Sequence, residues 1–201
     1  MNKTYRLAQI LSYTYFRYFH RFEVTGAKNV PDKGGFILAC NHLSYIDPPA
    51  VGCRIRRNLH YFARDSLFFW PLGLLITKLN SIPVNRDQLD LGTLRRVLRV
   101  LKNGDPVLVF PEGTRSPDGT LQKSQKGLGL LAQKSGVPVL PARLYGSHEI
   151  LGKGKIILRF GRKLYLNIGN IMSSERLLYD SKDSDRYQKI SDEVMGEIKA
   201  L

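Results

Sequence analysis

Cysteine is scarce in this 201-residue chain: Cys40 and Cys53 are the only two, and they fit neither a disulfide framework nor the ligand spacing of a zinc site. Long apolar runs are missing as well. The longest candidate, "SLFFWPLGLLIT" from Ser66 to Thr77, falls short of the roughly 18 to 20 residues that cross a bilayer and contains Pro71 and Gly73. It suits a core segment or one that touches lipid. The N-terminus lacks the small-residue cleavage site of a secretory signal, so a reducing, cytosolic setting is expected. Internal repeats and low-complexity linkers are absent too. Acidic residues are outnumbered, 17 against 31 basic ones, and the resulting charge of +14 favours a polyanionic partner: nucleic acid, an anionic membrane surface or a phosphorylated substrate. What is plentiful is apolar content. At 43% hydrophobic residues, a chain of this length buries one substantial core, which implies a single domain.

The first segment carries a helical period. At 100° per residue, Arg6, Gln9, Tyr13, Phe16, Arg17 and His20 share one side. Leu7, Ile10, Leu11, Tyr15, Tyr18, Phe19 and Phe22 share the other. Aromatic rings mixed with Arg17 and Arg21 suit the headgroup boundary of a membrane, so residues 1–22 are expected to form an amphipathic, membrane-contacting helix. An ordinary core-packed helix is the alternative.

Beyond it the chain alternates between periods. "GGFILAC" reads as a buried strand. "LGTLRRVLRVLKNG" reads as a helix with Leu91, Leu94, Val97, Leu98 and Leu101 inward and Gly104 as its C-terminal cap, and "DPVLVF" reads as a strand. "KGLGLLAQKSG" then gives a helix closed by Gly136, and "VPVLPARLY" a strand. "KIILRFGRKLYL" suggests a hairpin or a strand with its continuation, and the polar tail from Ser173 to Leu201 suggests a helix. Such alternation predicts an α/β sandwich over residues 23–201, with a mostly parallel or mixed central sheet flanked by helices.

"LACNHLSYIDPPAV" places His42 at the end of a strand and Asp47 five residues on, at the start of a helix that has Pro48 in its first turn. Asp47 as an N-cap and His42 as a turn residue would account for both. The turn is also short enough to return the carboxylate to one imidazole nitrogen. That contact would fix the tautomer, stabilise the imidazolium and leave the other nitrogen free as a general base. Ser44 lies nearby without a G-x-S-x-G elbow, so the nucleophile is expected to be a substrate hydroxyl. "LVFPEGTRSPDG" follows another buried strand. Its Gly113 permits close backbone approach, Thr114 offers a hydroxyl, and Arg115 offers a fork for phosphate oxygens, though loops of this composition are commonly plain turns. Arg86 after "NSIPV" and Lys126 before a predicted helix add positive charge at other element ends.

Taken together, "NHLSYIDP" resembles the N-H-x4-D motif of the 1-acylglycerol-3-phosphate acyltransferases, a glycerophospholipid acyltransferase family. "SIPVNR", "FPEGTRS" and "GVPVLPA" are similar to that family's second, third and fourth motifs in the same order, from about Asn41 to Leu144, and "LYGSHEIL" is of family type. The resemblance implies that His42 deprotonates a glycerol hydroxyl, with Asp47 orienting it, and that the hydroxyl attacks the thioester of an acyl-coenzyme A or an acyl carrier protein. It implies that Arg86 and Arg115 bind the acceptor phosphate, with Glu112, Gly113 and Thr114 as further acceptor-site residues; Lys126, by its place at the start of a predicted helix, is a further candidate for the phosphate. The implied product is phosphatidic acid, formed by a peripheral enzyme on the cytoplasmic face of an anionic membrane, with neither cofactor nor metal. Two positions depart from the pattern: Asn85 stands where aspartate is common, and Ser124-Gln125-Lys126-Gly127 replaces Phe-Lys-Lys-Gly. Both bear on the acceptor, and another lysophospholipid or a lyso-aminolipid is the alternative. A nucleic-acid-binding module is disfavoured, because the basic residues are dispersed and no recognised motif is present.

Overall fold

The computed structural model describes residues 3–84 and 91–201. In chain order the elements are α1 (Lys3–His20), β1 (Glu23–Thr25), β2 (Ile37–Cys40), α2 (Asp47–Gly52), β3 (His60–Arg64), α3 (Leu72–Lys78), β4 (Ser81–Val84), α4 (Leu91–Lys102), β5 (Val107–Val109), α5 (Gly127–Ser135), β6 (Val139–Tyr145), α6 (Ser147–Leu151), β7 (Tyr165–Ile168) and α7 (Arg186–Ala200). Short 3-10 turns lie at Ala27–Asn29, Asp65–Leu67 and Glu175–Leu177.

The strands form one seven-stranded sheet in the order β1-β7-β6-β2-β5-β3-β4. It is mixed: β6, β2, β5, β3 and β4 run parallel, and β7 with its parallel neighbour β1 runs the other way. Central β2 is buried at every position because both of its faces are covered. Its alternation divides the core. Leu38 and Cys40 pack with Phe16 of α1, Ala50 and Val51 of α2, and Ile150 of α6. Ile37 and Ala39 pack on the opposite face with Val97 and Leu101 of α4, Leu128 and Leu131 of α5, and Val194 and Ile198 of α7. The expected α/β sandwich is therefore a helix, sheet, helix arrangement.

Helix α1 turns its less apolar side inward. Tyr5, Gln9, Phe16 and His20 are buried, while Leu7, Ile10, Leu11, Tyr18 and Phe19 are exposed. The buried polar groups are all partnered. Gln9 Nε2 donates to the carbonyls of Gly52 and Ile55 at the end of α2, at 2.9 and 2.7 Å, satisfying acceptors that the helix itself leaves open. The Tyr5 hydroxyl meets the Tyr61 hydroxyl at 2.7 Å and accepts from the Leu59 amide. His20 Nδ1 donates to the Arg162 carbonyl at 3.1 Å, and burial lowers its pKa.

Several local expectations are corrected. Phe22 does not extend the exposed stripe. Arg21 adopts φ of +47°, which ends the helix and turns Phe22 into the core at 2% exposure. Leu91 is 67% exposed and lies outside the core, which α4 meets through Leu94, Val97, Leu98 and Leu101. Asp47 is not an N-cap: the cap position is Ile46, and Asp47 already belongs to the helix. Residues 155–164 form no strand. Only Tyr165–Ile168 joins the sheet, and Ile156, Ile157 and Phe160 stand exposed among basic neighbours. The tail is helical only from Arg186.

Candidate active site

His42 leaves the C-terminal end of β2, and Asn41 fixes that exit. Its Nδ2 donates to the Leu144 carbonyl at 2.9 Å and its Oδ1 accepts the Leu144 amide at 2.7 Å, so one side chain extends the pairing with β6 past the last ladder residues. The main chain of His42 is held at both polar groups. Its N–H donates to Glu112 Oε1 at 3.2 Å, and its carbonyl accepts the Ser116 amide at 2.8 Å. The imidazole lies flat against the Phe110 ring, 3.9 Å between centroids and 11° between planes.

Asp47 then closes the turn upon itself. Its Oδ2 accepts His42 Nδ1 at 2.9 Å, the Leu43 amide at 2.6 Å and the Ser44 amide at 2.7 Å. The carboxylate is fully buried, as is Ser44, whose hydroxyl donates to the Leu151 carbonyl of α6. Because Oδ2 only accepts, Nδ1 carries the proton, and among the described residues Nε2 makes no hydrogen bond. This arrangement can take a proton at Nε2 and hold the resulting imidazolium against Asp47.

The third-motif loop is folded against the same turn. Gly113 adopts φ of +70° and its amide bonds the Phe110 carbonyl, the tight turn that leaves Phe110 under His42 and Glu112 behind it. Glu112 is 2% exposed, with Oε1 on the His42 amide and Oε2 unpartnered. Burial, reinforced by the nearby Asp47 charge, pushes its pKa up to about 7. Arg115 lays its guanidinium on the Tyr45 ring, 3.4 Å from the centroid, and its buried Nη1 has no partner in the chain. Thr114 is exposed and makes no hydrogen bond. Lys126 is exposed at the cap position of α5; the neighbouring Gln125 amide ties that helix to the Pro111 carbonyl, and no contact joins the Lys126 side chain to His42. Arg86 lies outside the described residues. His42, Asp47, Glu112, Gly113 and Arg115 are thus brought together.

Sequence reasoning passed over Asn41, Tyr45 and Phe110 as contributors. Tyr45 sits inside the His42 to Asp47 turn and Phe110 directly before the Pro-Glu-Gly turn, positions that signal an aromatic surface at the site. The cysteines offer no alternative nucleophile: burial raises the Cys40 thiol well above its usual range and pushes Cys53 up to about 12. Among the described residues no group of three His, Cys, Asp or Glu side chains is placed to hold a metal ion, and no helix is long and apolar enough to cross a membrane.

The fold and this loop constellation are those of an acyltransferase, and the family model "Acyltransferase" matches residues 21–145. The chain belongs to that family. It is 31% identical over 162 residues to the 1-acyl-sn-glycerol-3-phosphate acyltransferase of Bacillus subtilis (strain 168), a match covering 77% of this chain and 80% of the relative. A chloroplastic 1-acyl-sn-glycerol-3-phosphate acyltransferase of Brassica napus is 29% identical over 140 residues, covering 68% of this chain but only 40% of the plant protein. The crystal structure of the 1-acyl-sn-glycerophosphate (LPA) acyltransferase PlsC from Thermotoga maritima superposes with a TM-score of 0.81 at 27% identity, covering 98% of this chain and 79% of that one.

Proposed function

We propose that this chain transfers a fatty acyl group from an acyl-coenzyme A or acyl carrier protein thioester to the 2-hydroxyl of 1-acylglycerol 3-phosphate, giving phosphatidic acid. The observation that carries the reading is the His42 and Asp47 pair, 2.9 Å apart through Nδ1, with Nε2 making no hydrogen bond among the described residues. His42 Nε2 takes the hydroxyl proton as the oxygen attacks the thioester carbonyl carbon. The tetrahedral intermediate collapses, the carbon to sulfur bond breaks, and the imidazolium returns its proton to the departing thiolate. Arg115 is poised for the acceptor phosphate, since Tyr45 holds its plane and Nη1 lacks a partner.

The acceptor lives in a bilayer, and an apolar surface borders the site. The Ser44 hydroxyl bonds Leu151, and the chain after it carries exposed Ile156, Ile157 and Phe160 among Lys153, Lys155, Arg159 and Arg162. Phe160 packs on Phe19 at 5.3 Å between ring centroids, which joins this segment to the exposed stripe of α1. Together they suit peripheral attachment to an anionic membrane, on the cytoplasmic face where donors are made.

The test is thiol release from both donor types across a panel of lysophospholipid and lyso-aminolipid acceptors, with His42→Ala as control. Preference for 1-acylglycerol 3-phosphate and a loss of about 10² to 10⁴ in the variant are expected. Preference for a different acceptor would reassign the substrate, and undiminished turnover in a folded His42→Ala protein would remove the mechanism.

A further inference from the structure

A cavity of about 830 Å³ opens at the end of the sheet opposite His42. Its walls come from residues 27–32, which precede β2, from residues 53–57, which precede β3, and from Arg6 of α1. Since β2 and β3 run parallel, both approaches lie at their N-terminal ends, whereas His42 follows the C-terminal end of β2. Arg6, Lys28, Arg54, Arg56 and Arg57 bring five cations to this cavity against the single carboxylate of Asp32. Among the described residues none of the five forms an ion pair.

The arginines are not equivalent. Arg57 is committed to structure, donating to the carbonyls of Pro31, Gly34 and Gly104. Arg54 is held over the Tyr13 ring, 4.7 Å from the centroid, with a buried Nε that has no partner. Arg6 bonds Gln9 at 3.3 Å, and among the described residues the exposed side chains of Lys28 and Arg56 make no hydrogen bond. Guanidinium forks gathered in excess over the single carboxylate of Asp32 fit the oxygens of a phosphate.

We propose that this cavity seats the phosphate of an anionic membrane phospholipid, a second lipid site that goes beyond acyl transfer and shares no residue with the centre at His42. A lipid rather than a soluble phosphate is favoured by α1. Leu7 follows Arg6 directly and Ile10 lies one helical turn further on the same side, 57% and 49% exposed, so a headgroup in the cavity has an apolar surface for its chains. From there the exposed stripe runs the length of the 18-residue helix, about 27 Å, to Phe19 beside Phe160 near the site. Occupation of the cavity would hold the far end of α1 against the bilayer and bring the His42 edge to the same surface.

The experiment uses the full chain and sedimentation with vesicles of phosphatidylcholine, alone or mixed with phosphatidic acid. Lys28→Gln with Arg56→Gln is compared with Lys134→Gln and Lys182→Gln, two exposed cations elsewhere on the fold whose side chains form no ion pair among the described residues. One basic residue at an anionic surface contributes about fivefold to partitioning, so the cavity pair should weaken vesicle binding about 30-fold. The control pair should change it no more than about twofold. Turnover of a monomeric short-chain acceptor should stay at the parent level in both, which separates this site from the acyl-transfer reading. Equal loss in the two pairs would mean a diffuse field and would overturn the site. Displacement of the parent from phosphatidic acid vesicles by millimolar inorganic phosphate or coenzyme A, absent in the cavity pair, would reassign the cavity to a soluble phosphate and overturn the lipid.

Discussion

Glu112→Gln should change how stability depends on pH, and the size of the change follows from burial. In the folded chain Glu112 is 2% exposed, with one oxygen unpartnered and Asp47 close by, and its pKa stands at about 7 against an ordinary 4.5. Between those two values the unfolded chain has released the proton and the folded chain still holds it. Stability therefore falls as pH rises from 4.5 toward about 7 and is flat above that. At about 1.4 kcal/mol per pH unit the gap corresponds to about 3 kcal/mol. The glutamine of the variant has no titration and can still accept the His42 amide, although its amino group inherits the unpartnered position at a roughly constant cost of about 1 to 3 kcal/mol. The offset between the two proteins is therefore uninformative, and the slope is the observable. Urea unfolding of both at intervals from about pH 5 to pH 8 should show the wild type losing about 2 to 3 kcal/mol relative to the variant. His20, buried with a lowered pKa, adds stability as pH rises through its unfolded value; it is common to both proteins and cancels in the difference. Parallel profiles across that range would refute a Glu112 pKa raised by burial.

Asp47→Asn should lower turnover about 10² to 10⁴-fold and destabilise the fold by roughly 1 to 3 kcal/mol, since a charged acceptor of three hydrogen bonds becomes neutral; thiol release and urea unfolding on one preparation measure both. Arg115→Ala should raise the KM for a phosphorylated acceptor about 10 to 100-fold and leave donor KM within about twofold, and the reverse pattern would put Arg115 at the donor end. Leu11→Asp with Tyr18→Asp should release the protein from anionic vesicles without unfolding it, because the two side chains are 61% and 81% exposed and each large apolar group withdrawn from lipid forfeits about 1.5 to 3 kcal/mol. Deleting residues 1–20 should instead unfold the chain, since Tyr5, Gln9, Phe16 and His20 are buried and Gln9 bonds the end of α2; circular dichroism separates the two outcomes.

The parts of the fold legible in the sequence were those where one physical demand acts alone. β2 is apolar throughout because both faces are covered, and α5 ends at Gly136 because the chain there needs φ of +64°. Where two demands overlap, periodicity misleads. Helix α1 is amphipathic, but its more apolar side faces outward, because the inner side meets carbonyls and hydroxyls that Gln9, Tyr5 and His20 must satisfy. "KIILRF" has the composition of a strand and forms none: Ile156, Ile157 and Phe160 stand exposed outside the sheet. In the site, the residues on the short turn were legible because their contacts span five positions. Phe110 under His42 and Tyr45 under Arg115 are contacts between distant parts of the chain, which no local pattern encodes.

One oxygen, Asp47 Oδ2, both closes the backbone turn and bonds the imidazole within six consecutive residues, while the Phe110 ring lies against its face. The long-range contacts then have a different task. Asn41 on Leu144, Glu112 on the His42 amide, Ser116 on the His42 carbonyl and Ser44 on Leu151 act on the turn's backbone or its flanks, and none touches the imidazole nitrogens. They place the turn as a unit against the rest of the molecule. Two of the four lead directly toward other parts of the proposed reaction: Ser116 follows Arg115, and Leu151 opens the segment that carries Ile156 and Phe160. The proposed base, Arg115 and the exposed apolar segment after Leu151 are thus fastened to a single short stretch of backbone. Under the proposed peripheral attachment, the Ser44 to Leu151 hydrogen bond ties the start of that exposed segment to the turn that holds His42, which would help keep a hydroxyl at the bilayer surface in line with the base.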